Sequence, residues 1–233
     1  MSLIDPPDLQ QVAVIIPALD EEESLPLVLA ALPAVGHVVV VDNGSTDGTA
    51  EVARAGGAWV VDQPDRGYGN ACQAGIEVAA ERGATVVVIL DADHSFDPAQ
   101  LPALVAPILR DEADMVLGDR TRTAEPGALL PQQRVGNRVA TWLIRGLTGH
   151  TYRDMGPFRA VRTQSLVQMG MRDPSYGWNV EMQIKAVRHG LRILEQPVTC
   201  RVRQAGHSKI SGSVRGSVAA GVKMIRATWR YAR

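Results

Sequence analysis

The sequence predicts an α/β fold: an open, mainly parallel β-sheet flanked by helices. Three observations carry this. Short β-branched runs recur through about the first 120 residues, helical patterns alternate with them, and the connections are short and rich in Gly, Asn, Asp and Pro.

Four runs have one character: residues 12–17 (VAVIIP), 37–43 (HVVVVDN), 58–62 (AWVVD) and 85–91 (TVVVILD). Nearly continuous apolar runs suit strands covered on both faces, as in a parallel sheet. Residues 114–120 (DMVLGDR) make a weaker fifth. Apolar positions at helical spacing predict helices over 21–32, 46–55, 69–82 and 98–110. This half reads as a Rossmann-like nucleotide-binding unit. Beyond Thr121 the pattern loosens. Residues 121–131 read as a loop, 132–147 as a helix, 152–162 as irregular, 176–189 as a helix and 191–203 as strand-like. A polar loop over 204–213 and a basic amphipathic helix over 214–231 close the chain. Together these predict one domain over 1–233, with halves of about 11–120 and 121–233.

Composition narrows the class. The chain has 233 residues, 45% hydrophobic and 21% charged, enough to build a core. A formal charge of −1 argues against a generally nucleic-acid-binding surface. That total hides an asymmetry: after Glu195 no acidic residue follows, while Arg201, Arg203, Lys209, Arg215, Lys223, Arg226, Arg230 and Arg233 do. Such an end is either a solvated face or a surface for phosphates, lipid headgroups included. Cys72 and Cys200 are too few for a metal cluster and read as buried free thiols of a reducing compartment. Residues 1–8 lack the regions of a signal peptide, and no apolar stretch reaches the ~18 residues of a membrane span. The expectation is a cytoplasmic chain, at most peripheral to the inner face of a membrane.

In open α/β sheets ligands bind beyond the carboxyl ends of the strands. Three strands end in suitable polar sets: Pro17-Ala18-Leu19-Asp20-Glu21, Asp42-Asn43-Gly44-Ser45-Thr46-Asp47, and Asp91-Ala92-Asp93-His94. Asp20, Ser45 and Thr46 read equally well as helix caps. The third set resists that account, because two carboxylates directly after an apolar strand repel each other without a cation. Mg²⁺ or Mn²⁺ held by Asp91 and Asp93, and completed by a diphosphate, would resolve the repulsion. Neither GxGxxG after the first strand nor GxxxxGK[ST] is present. Arg66-Gly67-Tyr68-Gly69-Asn70 carries glycines before a helix and could approach a nucleotide with its backbone.

Taken in order, these motifs resemble glycosyltransferase family 2, of GT-A fold, and within it the dolichyl- or polyprenyl-phosphate mannose and glucose synthases. The resemblance runs from about Val12 to Ile210 through IIPALDEEESLP, VVVDNGSTDGT, RGYGNACQAG, ILDADHSFDP, GDR, DMGPFRAVR, YGWNVEMQIKAVRHG and GHSKIS. It implies a nucleotide-sugar half followed by an acceptor half. It implies donor binding by Pro17, Ala18, Leu19, Glu21, Asp42, Asn43, Arg66, Asp91, Ala92, Asp93 and Ser95, with Asp91 and Asp93 on the metal. It implies phosphate or acceptor contacts from Arg120, Arg134, Arg203, Ser208 and Lys209. Asp93, Asp154, Glu181 and Lys209 take catalytic positions. Asn43 stands where Asp is commoner in the family, and Leu19 where an aromatic often stacks.

The implied reaction is an inverting displacement of a nucleoside diphosphate from a hexose, GDP-mannose or UDP-glucose in type, by a polyprenyl phosphate. The same chemistry on a soluble hydroxyl would need a general base, for which Asp154 and Glu181 are the candidates unless each is an Arg-paired buried carboxylate. His94 near the metal, His207 near phosphate and Trp178 on the acceptor sugar each carry a blander reading as loop or core residues, and Met169, Met171 and Met182 read as packing. A nucleotidyltransferase, a nucleotide-sugar-binding protein without catalysis and a membrane-surface adaptor are the competing classes. Oligomeric state is not legible.

Overall fold

The computed structural model describes residues 8–203 and 230–231. Seven strands and seven helices follow in the order β1 (Val12–Ala18), α1 (Leu25–Ala31), β2 (His37–Asp42), α2 (Thr49–Ala55), β3 (Trp59–Asp62), α3 (Tyr68–Glu81), β4 (Val86–Ile89), α4 (Leu101–Leu109), β5 (Met115–Asp119), α5 (Pro131–Thr148), β6 (Arg159–Arg162), α6 (Thr163–Met169), α7 (Trp178–Arg188) and β7 (Ile193–Pro197). The strands form one sheet in the order β3-β2-β1-β4-β6-β5-β7. Every pairing is parallel except those of β6 with β4 and β5. The expected open, mainly parallel sheet is therefore the one observed.

Alternate residues of each strand feed two different cores. Ile15, Val41, Ile89 and Leu117 pack with Cys72 and Ile76 of α3 and with Trp178 and Ile184 of α7. Val14, Ile16, Val40 and Val88 pack instead with Leu25 of α1 and Leu104 and Ile108 of α4. Both faces of the sheet are thus covered, which is why the strands read as unbroken apolar runs. Both cysteines are buried and free.

The sequence reading departs from the structure in one element of consequence. Residues 152–162 were expected to be irregular, yet Arg159–Arg162 forms β6, inserted antiparallel between β4 and β5. Four residues with an arginine at each end carry too short an apolar signal to announce a strand. The strand-like stretch 191–203 resolves into β7 plus an extended arm. Cys200 in that arm bridges both Phe96 and Ala124. The polar loop 204–213 and most of the basic helix 214–231 lie outside the described residues.

Candidate active site at the carboxyl end of the sheet

The chain runs from β1 to β2 and β3 on one side, then returns to place β4 on the other side of β1. The crevice between β1 and β4 is therefore the topological switch point, where such sheets bind ligands. The pairing Ile15↔Ile89, carried two residues further, sets Asp91 level with Pro17. Pro17 and Ala18 in turn pair with Val41 and Asp42. All three polar strand ends meet at one edge.

The loops after β1 and β2 are laced together. The Asp20 carboxylate accepts hydrogen bonds from the Thr46 backbone N–H at 2.6 Å and the Thr46 hydroxyl at 3.1 Å, and the Asp20 N–H donates to Ser45 Oγ at 2.9 Å. Glu22 accepts from the Gly48 N–H at 2.7 Å. The capping role weighed for Asp20, Ser45 and Thr46 is not the one observed: α1 and α2 begin after Ser24 and Gly48, neither with a side-chain cap. Asp20 holds a left-handed backbone at φ 48°, the sharp turn that brings the two loops together.

Asn43 explains its own departure from the family pattern. Its amide donates to the carbonyls of Gln63 at 2.9 Å and Asp65 at 3.0 Å, while its oxygen accepts from the Gly67 N–H at 2.7 Å. Asp has no amide N–H to donate to those two carbonyls. Asn43 thus shapes the loop bearing Arg66, whose guanidinium reaches the Gly44 carbonyl at 3.0 Å. Asp42 is buried and accepts from the Ser45 N–H at 2.9 Å.

Around Asp91 four elements converge. Burial pushes its carboxyl up to about 7, the Asp93 and Glu21 carboxylates push the same way, and Arg120 and Arg159 pull against them. Asp93 accepts the Ser95 N–H at 3.0 Å, which closes a tight turn directly after the pair. Among the described residues neither carboxylate enters a salt bridge, and no hydrogen bond holds Asp91. No third His, Cys, Asp or Glu joins them to complete a metal cluster among the described residues. Two unbridged oxygen ligands, one of them carrying an electrostatic penalty, suit a hard divalent cation that completes its shell with substrate phosphates.

Glu21 and Arg203 are brought together as an ion pair, with Glu21 also accepting from Ser24 Oγ at 2.5 Å. The arm carrying Arg203 crosses directly over the loop after β4: the Arg201 N–H donates to the Ser95 carbonyl at 2.7 Å, and its guanidinium pairs with Asp97 at 2.8 Å. No local pattern in the sequence announces this contact, which spans more than 100 residues.

The two candidate bases are both buried and engaged. The Asp154 carboxylate, 1% exposed, accepts from the Arg120 N–H at 2.9 Å, Arg120 Nε at 3.1 Å and its neighbour Met155 N–H at 2.7 Å. Glu181 is wholly buried at 0%. It accepts from the N–H groups of Arg172 at 3.0 Å and Asp173 at 2.7 Å and pairs with Lys185 at 2.8 Å. Carboxylates so engaged orient their partners: Asp154 aims Arg120, and Glu181 anchors the loop of residues 172–177. Trp178 lies in the core at 1% exposure, its blander reading. Met169, Met171 and Met182 pack as expected, and His94 is nearly buried with φ 55°. Arg134 sits exposed on α5, its Nε donating to the Leu129 carbonyl at 3.3 Å. His207, Ser208 and Lys209 lie outside the described residues.

Sequence reasoning missed Arg159. It is fully buried on β6 opposite Ile89, donates to the carbonyls of Gly156 and Pro157, and lies close enough to Asp91 to draw its carboxyl down. The loop anchored by Glu181 closes the other side, where Tyr176 feels the Asp91 charge. Gly69 makes room for that loop. A Cβ there would sit 1.9 Å from the Asp173 carbonyl oxygen. Gly69→Ala is expected to lower stability by about 1–3 kcal/mol through overpacking, read as a drop in thermal midpoint.

Comparisons with known proteins show the family and the fold. The family model described as glycosyl transferase family 2 matches residues 13–170. An uncharacterized glycosyltransferase of Mycobacterium tuberculosis is 42% identical over 210 residues, 90% of this chain and 94% of its own length. The undecaprenyl-phosphate mannosyltransferase of Micrococcus luteus is 34% identical, covering 91% of this chain and 92% of the relative. Among solved structures, glucosyl-3-phosphoglycerate synthase from Mycobacterium tuberculosis, crystallised with Mn²⁺, uridine diphosphate and glucosyl-3-phosphoglycerate, is similar in fold. Its TM-score is 0.73 at 23% identity, over 95% of this chain and 79% of that one. Sheet, crevice and sequence together define a sugar-transferring enzyme. The chain belongs to glycosyl transferase family 2.

Proposed function

We propose that this glycosyltransferase moves a hexose, with inversion, from a nucleoside-diphosphate sugar to a polyprenyl phosphate, using a divalent cation held by Asp91 and Asp93. The observation that carries the reading is the unbridged Asp91/Asp93 pair at the switch point, with Asp91 pushed up to about 7 by burial and by its neighbour. Asp42 and the loop held by Asn43 form the wall for the nucleoside, and Asp91 with Asp93 face its diphosphate. The cation, when bound, supplies Lewis-acid neutralisation of the diphosphate as it leaves. Arg120, aimed by Asp154, is the group we assign to the acceptor phosphate, with Arg134 and Arg203 as further phosphate contacts.

The lipid-phosphate acceptor has two supports. The mannosyltransferase of Micrococcus luteus, named for undecaprenyl phosphate, matches nearly the whole chain. The chemistry of the site agrees: Asp154 and Glu181 are engaged by cations and backbone N–H groups, and a phosphate monoester needs no base. Its second pKa near ~6 makes it a dianionic nucleophile at neutral pH. A soluble hydroxyl acceptor would need a carboxylate free to take its proton.

The test has two stages. Thermal shifts with a panel of nucleoside-diphosphate sugars, with and without Mn²⁺, should single out one donor that stabilises only when metal is present. Transfer from that donor should then label undecaprenyl phosphate and leave 3-phosphoglycerate unlabelled. Labelling of the glycerate alone would refute the lipid acceptor, and metal-independent donor binding would refute the cation site.

A further inference from the structure

Asp91 lies on a definite side of the sheet. Val87 and Ile89 of β4 face the core beneath α3 and α7, whereas Val88, Leu90 and Ala92 face the opposite core. The alternation carries through the strand end, so Asp91 falls on the side of α3 and α7. Helix α3 crosses between two parallel strands and runs back against them, so it begins at the same carboxyl edge. Its Gly75 lies over Ile15, where a Cβ would press on the Ile15 side chain, and Ile15 pairs with Ile89. Tyr68 stands two turns before Gly75, ~10 Å nearer that edge. Asp91 stands two residues beyond Ile89, ~7 Å in the same direction. The first turn of α3 is therefore beside the acidic pair.

The Tyr68 hydroxyl is buried there with no hydrogen-bond partner among the described residues. Its ring packs against the core that holds Ile89 and Cys72. A buried donor without an acceptor forfeits the bond it had to water, so such an orphan calls for an explanation. Three ionisable groups act on it: the Cys72 thiol one helical turn on, the Asp91 carboxylate and the Arg159 guanidinium. A thiol is a weak acceptor and a guanidinium accepts nothing, so the carboxylate is the strong acceptor of the three. Burial first, then Cys72 and Asp91, push the phenol well above its usual range, so it keeps its proton to donate. Asp91 is unmet in the complementary sense, since no hydrogen bond from a described residue holds it. We propose that Tyr68 is a positioning residue of the cation site: its hydroxyl donates to the Asp91 carboxylate when a divalent ion is held there, and so fixes the orientation of that ligand. This role rests on the reading of Asp91 and Asp93 as cation ligands. Ligating carboxylates are themselves hydrogen-bonded by outer partners. The need is greater here, because among the described residues no third His, Cys, Asp or Glu joins the pair.

Tyr68→Phe removes the hydroxyl and keeps the ring. The full chain is titrated with Mn²⁺ in the presence of UDP, and in a parallel series of GDP, with the free ion followed by electron paramagnetic resonance. Tyr68→Phe should weaken Mn²⁺ binding by ~10–100-fold. Without metal the hydroxyl has no partner to lose, so the thermal midpoint of the metal-free variant should equal or exceed that of the parent. A residue that merely supports the fold would lower it. Nucleoside diphosphate binding in the presence of a chelator should match the parent's. Parent-like Mn²⁺ affinity in Tyr68→Phe, while Asp93→Ala loses the ion, would overturn the role of Tyr68 and leave the cation site standing. A parent chain that binds no Mn²⁺ with either nucleotide would remove the cation site and this role with it. A variant that loses nucleotide affinity equally with and without metal would overturn the proposal by assigning the hydroxyl to the nucleotide itself.

Discussion

Replacing Asp93 by Ala is expected to abolish sugar transfer, with kcat lower by about 10³-fold or more. Removing one group that stabilises charge only in the transition state costs ~10²–10³. Here a cation ligand would be lost as well, and with it the neutralisation of the leaving diphosphate. Asp91 alone cannot compensate, because it leaves the cation one carboxylate where the parent offers two. The variant should fold normally: among the described residues Asp93 makes a single hydrogen bond, accepting from the N–H of Ser95 two residues on. Its signature should be a donor affinity that no longer responds to Mn²⁺, measured by calorimetry alongside nucleoside diphosphate release. Near-parent rates for Asp93→Ala in the presence of a chelator would sink the cation site altogether.

Asp154→Ala should fail in a different way. Removing a carboxylate that is 1% exposed leaves Arg120, itself 19% exposed, without its partner. It also strips the acceptor from the backbone N–H groups of Arg120 and Met155. Breaking a buried pair by deleting one member costs about 3–5 kcal/mol. In a chain of this length the thermal midpoint should fall by roughly 6–20 °C. The milder Asp154→Asn separates structure from chemistry. A general base would lose ~10²–10⁴ in rate with an unchanged midpoint. A positioning residue should instead lower the midpoint and raise KM for the acceptor as Arg120 drifts, while the pH profile of kcat keeps its shape.

Much of this site was legible because its signals are local. The carboxylate pair after an unbroken apolar strand, the polar ends of β1 and β2, and the glycines before α3 each announce themselves within a few residues. Their convergence follows from one topological rule about the carboxyl ends of parallel strands. The sequence left Asp154 and Glu181 open between base and buried, paired carboxylate for the opposite reason. A carboxylate's availability depends on what surrounds it, and the arginine paired with Asp154 lies 34 residues away. Arg159 and β6 were missed because a four-residue strand between two strong neighbours is stabilised by pairing with β4 and β5 rather than by any pattern of its own.

By itself the amino-acid order determined the alternation of strand and helix, the burial of both sheet faces and the acidic residues offered at one edge, since periodicity and turn chemistry act over short spans. Only the tertiary structure decided which charges remain available. It paired Glu21 with Arg203, Arg120 with Asp154 and Lys185 with Glu181, and left Asp91 and Asp93 outside every salt bridge among the described residues. Electrostatic partnership is a matter of distance in space, and two of those three pairs join residues 34 and 182 positions apart in the chain.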